Sequence, residues 1–342
     1  VEELKSGSLA LSYSDIYLVP EYSEVKTRAN TDVSVEFLGG KWASCLIPAN
    51  MLSVIDEKIA RWCSKNNIFY IYHRFGDQKK FIGNMNWANS PANNVSISIG
   101  VKQADKDLLE WILDVNYRID YLTIDIAHGD SILTKQMIAF IKKIGLKCKI
   151  IAGNVCTSDA VKRLADWGAD AAKCGIGGGG ICSTKNQTGF HVPMFTCIQN
   201  CAEMSPIPII ADGGIKENGH IAKALVAGAD MVMVGGLLAA CTDAPGENIY
   251  ANKYYKQTEF GPKEFSGELT HKKYHGSSGR TNKLKTGQEL KHFEGFDVEL
   301  PCNGMTFVEK IEEIKQSISS AISYAGGRGL ADLKSVKWVR TK

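Results

Sequence analysis

The amino-acid sequence predicts a (β/α)₈ barrel on three observations. Short apolar runs rich in β-branched residues recur along the chain, stretches of helical periodicity separate them, and none of the runs has the polar character of an edge strand. The runs are Ser44 to Asn50, Ile68 to His73, Val95 to Gly100, Tyr121 to Ala127, Lys147 to Gly153, Asp170 to Cys174, Pro208 to Asp212 and Met231 to Gly235. Eight of them fit a closed barrel better than an open doubly wound sheet.

The intervening segments read as helices. Asp105-Lys106-Asp107-Leu108-Leu109 opens one, and Ser158-Asp159-Ala160-Val161 opens another with Ser158 as a capping hydroxyl. Gly168-Ala169-Asp170 and Gly228-Ala229-Asp230 each pair a glycine helix exit with a strand start. After Gly246 the pattern gives way to a Lys-, Gly- and Ser-rich stretch reaching about Glu294, too long for an ordinary connection, which we read as an active-site flap spanning about 247–300. A last helix, Phe307 to Ala321, precedes Gly326-Gly327. We expect residues 1–342 to form one catalytic barrel domain, since a chain 44% hydrophobic supports one large core and barrels often exceed ordinary domain size.

Charge excludes some classes of function. The 40 basic and 37 acidic residues are interspersed, giving +3 overall and no basic stripe for nucleic acid. Val1 to Ser8 carries no cationic start followed by an apolar run, and no stretch is long enough to span a bilayer, so the expectation is a soluble cytoplasmic protein without membrane partners. The ten cysteines are scattered, several within apolar runs, and read as buried reduced thiols. Cys197 and Cys201, four positions apart with only His191 nearby, read as one helix face and not as a zinc site.

Barrels carry their chemistry at the carboxyl ends of the strands. Here those ends are Asp125-Ile126-Ala127-His128-Gly129, Gly153-Asn154-Val155, the loop Gly175 to Thr184 with Cys182, Asp212-Gly213-Gly214 and Gly235-Gly236. The last two pairs follow the seventh and eighth runs, where glycine lets backbone N–H groups approach phosphate, and Asp212 is suited to accept hydrogen bonds from ribose hydroxyls. Each glycine pair alone is also readable as a tight turn. Cys182, on a glycine-rich loop, is readable as a nucleophile or as a structural thiol. Asn154 and Asp125 have capping roles as alternatives, and Cys174 reads as core.

These motifs resemble the IMP dehydrogenase and GMP reductase family over nearly the whole chain, from Tyr13-Ser14-Asp15-Ile16 and Pro48-Ala49-Asn50-Met51 to Ile322-Ser323-Tyr324-Ala325-Gly326. The resemblance implies that Cys182 attacks carbon 2 of a purine nucleotide, and that a nicotinamide exchanges a hydride with the covalent intermediate. It places Asn154, Asp212, Gly213, Gly214, Gly235, Gly236, Tyr274, Lys291, Gly295 and Met51 around the nucleotide. Asp125, Ala127, Ser323, Tyr324 and Gly326 go to the cofactor, the last three reaching it from a neighbouring subunit of a homotetramer. Carbonyls of Gly175, Gly177 and Cys182 are candidate ligands of a potassium ion.

Within the family the chain is most like the reductase branch, which converts GMP to IMP and ammonia with NADPH. Thr184 and Glu294 match the threonine and flap glutamate that move the proton of the departing amine. The Arg-Tyr pair with which dehydrogenases activate water is absent between Gly246 and Glu294, where Arg280 precedes Thr281, and the interval from His73 to Val95 is too short for an inserted regulatory module. Two departures stand out. Gly178 and Gly180 replace a usual proline and a phosphate-binding serine, and Lys291 replaces an arginine whose bidentate fork a lysine cannot reproduce.

Overall fold

The computed structural model describes residues 4, 6–87, 92–251, 254–258, 261–265, 267–276 and 295–341, without the side chains of 254–258 and 261–265. The amino-terminal segment contributes β1 (Ile16–Leu18) and the hairpin β2 (Val35–Phe37) with β3 (Gly40–Trp42). Then come β4 (Leu46–Pro48), α1 (Glu57–Lys65), α2 (Gln78–Asn86), β5 (Ser96–Ile99), α3 (Gln103–Asp114), β6 (Tyr121–Asp125) and α4 (Ile132–Lys143). The series continues with β7 (Lys149–Val155), α5 (Ser158–Trp167), β8 (Ala171–Cys174), α6 (Thr184–Thr188), α7 (Met194–Ala202), β9 (Ile209–Asp212), α8 (Gly219–Val226), β10 (Met231–Val234) and the single turn α9 (Gly236–Ala239).

Strands β4 to β10 form a parallel seven-stranded sheet in the order β4-β10-β9-β8-β7-β6-β5. The run from Ile68 to His73 stands in the eighth place. Ala43 N–H donates to the Asn67 carbonyl at 2.7 Å on the β4 side, and on the β5 side Tyr72 forms an isolated parallel bridge with Ile97. The sheet is thus a (β/α)₈ barrel whose second stave touches its neighbours at few points. Tyr72 is held by its ring, stacked on Phe81 of α2 at 3.5 Å between centroids, as much as by the ladder.

The amino ends of the strands are closed by aromatics. Phe69 meets Trp42 and Tyr121 edge to face, each at 4.9 Å. With that end sealed by apolar rings, polar side chains collect at the carboxyl ends.

Local chemistry accounts for the helix boundaries. The α5 cap is Thr157, whose hydroxyl accepts from Ala160 N–H; Ser158, expected as the cap, is the first helical residue, because Thr157 has the extended backbone a cap requires. Helix α3 starts at Gln103, before the expected Asp105, whose carboxylate instead accepts from the N–H groups of Gly100 and Lys102 at 2.8 Å. Gly168 ends α5 in the left-handed conformation at φ 103°, as its position in the sequence predicts.

The flap is built partly from antiparallel strands: β11 (Asn248–Tyr250), β14 (Leu269–His275) and β15 (Asp297–Pro301) make one sheet, and β12 (Tyr254–Thr258) with β13 (Gly261–Phe265) a hairpin. Lys272 anchors it, its buried ammonium donating to the Ala244 carbonyl at 2.7 Å and to Asn248 Oδ1. Helix α10 (Phe307–Tyr324) runs three residues past its expected end and opens with a capping box of Thr306 and Glu309. Finally, β16 (Trp338–Arg340) pairs antiparallel with β1. Among the described residues no helix is long and apolar enough to cross a membrane.

Candidate active site

At the carboxyl end of the barrel, Asp125 closes β6, Lys173 lies on β8 and Asp212 closes β9. Lys173 is 3% exposed, and its ammonium reaches both carboxylates, 3.0 Å from Asp125 Oδ1 and in short contact with Asp212 Oδ2. Burial pushes the Lys173 pKa down, but the two carboxylates outweigh it and hold the ammonium charged. Burial likewise pushes Asp125 up, and the cations Lys173 and Arg74 overcome this and keep it below the usual carboxylate range. Asn50 Nδ2 donates to Asp125 Oδ2 at 3.0 Å, and Asn154 Nδ2 donates to Asp212 Oδ2 at 2.8 Å and to the Gly175 carbonyl at 2.6 Å. Asn154 Oδ1 is left buried without a partner among the described residues, an acceptor on the wall of the cavity.

Above this floor the loops after β8 and β9 lie against each other. Gly214 N–H donates to the Gly178 carbonyl at 2.8 Å. Gly175 has φ 130°, and a Cβ there would stand 2.1 Å from the Asp212 carbonyl oxygen, so the approach of the two loops requires glycine. Met194, at the start of α7, fills the space behind them: a Cβ on Gly178 would meet its Sδ at 2.6 Å, and one on Gly214 its Cγ at 2.9 Å. Gly214 therefore serves loop-to-loop packing, and its N–H, expected to face phosphate, is already taken by Gly178.

Cys182 and Thr184 come from the same loop, and the Cys182 thiol donates to Thr184 Oγ1 at 3.2 Å. The base of the flap crosses this point. Cys182 forms an antiparallel bridge with Gly295, and Phe296 N–H donates to the Ile181 carbonyl at 2.9 Å. Gly295 is thus beside the thiol. Glu294 and Lys291, expected at the reacting base and the nucleotide, lie outside the described residues.

On the other side of the cavity β14 supplies Tyr274, whose hydroxyl donates to Met51 Sδ at 3.6 Å. Burial pushes the Tyr274 pKa up, so its hydroxyl is a neutral donor. A Cβ on Gly235 would stand 2.5 Å from that hydroxyl, which makes Gly235 the space into which Tyr274 fits. Gly236 begins α9 and lines the same cavity.

One cavity is lined by Met51, Asp125, Ala127, Asn154, Gly175, Gly177, Cys182, Thr184, Asp212, Gly213, Gly214, Gly235, Gly236 and Tyr274. Ser323, Tyr324 and Gly326 are not on it. Ser323 and Tyr324 end α10 and Gly326 follows its cap, Ala325; the Tyr324 carbonyl accepts from Glu21 N–H at 2.9 Å, and Tyr324 is 63% exposed.

Sequence reasoning missed Asn50, Arg74 and Lys173, which share this cavity. The signal for Lys173 was present, a lone lysine in the buried strand Ala171-Ala172-Lys173-Cys174. Cys197 and Cys201 are both buried on α7, and all ten cysteines are free. Among the described residues no cluster of three or more His, Cys, Asp or Glu side chains is arranged for a metal ion. Of the three carbonyls considered for potassium, that of Gly175 also accepts the Asn154 amide at 2.6 Å.

The model of the IMP dehydrogenase / GMP reductase domain matches residues 10–341. The chain is 40% identical over 330 residues to a GMP reductase of Albidiferax ferrireducens, covering 96% of this chain and 94% of the relative. It is 40% identical over 330 residues to that of Acidovorax ebreus, with the same coverage, and 39% identical over 332 residues to that of Oenococcus oeni, covering 96% and 95%.

Proposed function

The chain belongs to the IMP dehydrogenase / GMP reductase family, and from that premise we propose that it converts GMP, NADPH and two protons to IMP, NADP⁺ and ammonium. The observation that carries this reading is the Cys182–Thr184 pair in a cavity lined by Asp212 and the glycines of the last two strand ends. Cys182 loses its proton and its sulfur bonds to carbon 2 of the guanine. Thr184 and Glu294 deliver a proton to the 2-amino group, the C–N bond breaks, ammonia departs, and a thioimidate remains. The nicotinamide, when bound, supplies the hydride to carbon 2; the C–S bond then breaks and the thiolate leaves IMP.

The other residues hold the reactants. Asp212 accepts from the ribose hydroxyls, while Gly235, Gly236 and the Tyr274 hydroxyl face the phosphate. Met51, Gly213 and Asn154 border the base, with Asn154 Oδ1 as the open acceptor. Asp125 and Ala127 border the nicotinamide. Ser323, Tyr324 and Gly326 complete the cofactor site of a neighbouring subunit in a homotetramer, a role suited to the exposed Tyr324 ring. The free state of the cysteines suits the reducing cytosol.

Two assays test the reading. GMP with NADPH should give loss of reduced nicotinamide with equimolar IMP and ammonia. IMP with NAD⁺ should give no sustained formation of XMP. The opposite pattern would make the chain a dehydrogenase.

A further inference from the structure

Lys173 has no part in the chemistry just described, yet it is the most buried charged group of the cavity. Its register explains its reach. Gly153 on β7 is the ladder partner of Asp125 on one side and of Lys173 on the other. A Cβ at Gly153 would stand 2.5 Å from the Lys173 carbonyl oxygen and 2.7 Å from its Cβ, so the glycine is what lets the β7 and β8 backbones pack this closely. The Lys173 ammonium crosses that strand to Asp125 and also contacts Asp212. Without it, two carboxylates would share a poorly solvated floor with no cation between them, leaving Arg74 to act on Asp125.

We propose that Lys173 is a positioning residue that fixes Asp212 for the ribose and Asp125 for the nicotinamide at one separation, placing the hydride donor in register with carbon 2 of the base. The inference rests on the proposed function. Its consequence is coupling: one side chain sets the affinities of two different ligands.

The test uses the full-length protein with Lys173→Met, Asp125→Asn and the double variant, folding being checked by circular dichroism. Lys173→Met fills the same volume without the charge. It should weaken GMP binding and raise the KM for NADPH together, each by about tenfold or more, with kcat also reduced. Asp125→Asn leaves the Lys173–Asp212 contact in place and should raise the KM for NADPH while keeping GMP affinity within about threefold. Should Lys173→Met fail to fold, the double variant is compared with Asp125→Asn. It should bind GMP about tenfold more weakly than Asp125→Asn, because Asp212 has lost its cation. Unchanged GMP affinity on removing Lys173, in either background, would overturn the proposal and leave the lysine a packing element. Failure of the parental protein to bind GMP or IMP would instead refute the functional reading, and this inference with it.

Discussion

Cys182 and Gly295 face each other across an antiparallel bridge, so the loop that carries the thiol is pinned to the base of the flap. Glu294 immediately precedes Gly295 in the chain. The proton donor proposed above is therefore covalently bonded to the residue that bridges the proposed nucleophile.

That adjacency sets the expectation for Glu294→Gln, which keeps the side-chain shape but cannot shuttle a proton. Ammonia release from GMP should slow by about two to four powers of ten, the usual worth of general acid–base catalysis. The reverse hydride step from IMP and NADP⁺ needs no amine protonation, and a burst of NADPH should persist. Rapid mixing measures both, and equal loss of the two would make Glu294 structural.

Gly235 and Gly214 look equivalent in the sequence but differ in what a side chain would strike. Gly235→Val would drive into the Tyr274 hydroxyl, which a Cβ already meets at 2.5 Å. The KM for GMP should rise about tenfold or more with the melting temperature little changed. Gly214→Val would press on Met194 and Tyr13 behind the loop, and its φ of 78° is unfavourable to valine, so a fall in melting temperature should accompany any loss of affinity. Steady-state kinetics with thermal melts separates the two cases.

The departures at Gly178 and Gly180 have different standing. A Cβ at Gly180 meets nothing within 4 Å, so Gly180→Ser should be accepted and its hydroxyl should lower the KM for GMP by about tenfold, one charge-assisted hydrogen bond. Gly178→Pro should fail, because Met194 Sδ occupies the space at 2.6 Å, and Met194→Ala should restore it in part. An unaltered KM in Gly180→Ser would mean that the phosphate lies away from this loop.

His73 gives stability a pH dependence. Burial depresses its pKa from 6.5 to about 4, while the N–H of Phe75 donates to its Nδ1 at 3.3 Å. Between these values the unfolded chain binds a proton that the folded chain does not, so stability rises with pH across that window and falls as acid is added. From about pH 7 to about pH 4.5 the contribution lost is about 2 kcal/mol. Urea unfolding at the two pH values should show it, and His73→Gln should remove that part of the slope. An unchanged slope in the variant would place the sensitivity in other groups.

Periodicity made the barrel legible, because β-branched runs alternate with amphipathic stretches and each strand end carries its polar residues in sequence. The segment from Ile68 to His73 reads as a strand from composition, but ring stacking holds Tyr72 where a full ladder was expected. The flap strands were hidden by their lysines: Lys272 is inward on β14, satisfied by carbonyls, although its residue type suggests solvent. The glycines, Cys182 and Asp212 were readable because loops concentrate chemistry. Lys173 was marked only as a lone lysine in a buried strand; its partners Asp125 and Asp212 are 48 positions before and 39 after it, and only the ladder register brings them together.

In the proposed reaction the Cys182 sulfur carries the purine through reductive deamination. The most direct measurement compares parental protein and Cys182→Ala for ammonia released from GMP in the presence of NADPH, with GMP binding measured in parallel. The parental protein should release ammonia equimolar with the NADPH consumed, and the variant should lose turnover to a small residual while largely retaining GMP affinity, because the proposed ribose and phosphate contacts lie elsewhere. Sustained ammonia release by Cys182→Ala at a substantial fraction of the parental rate would contradict it.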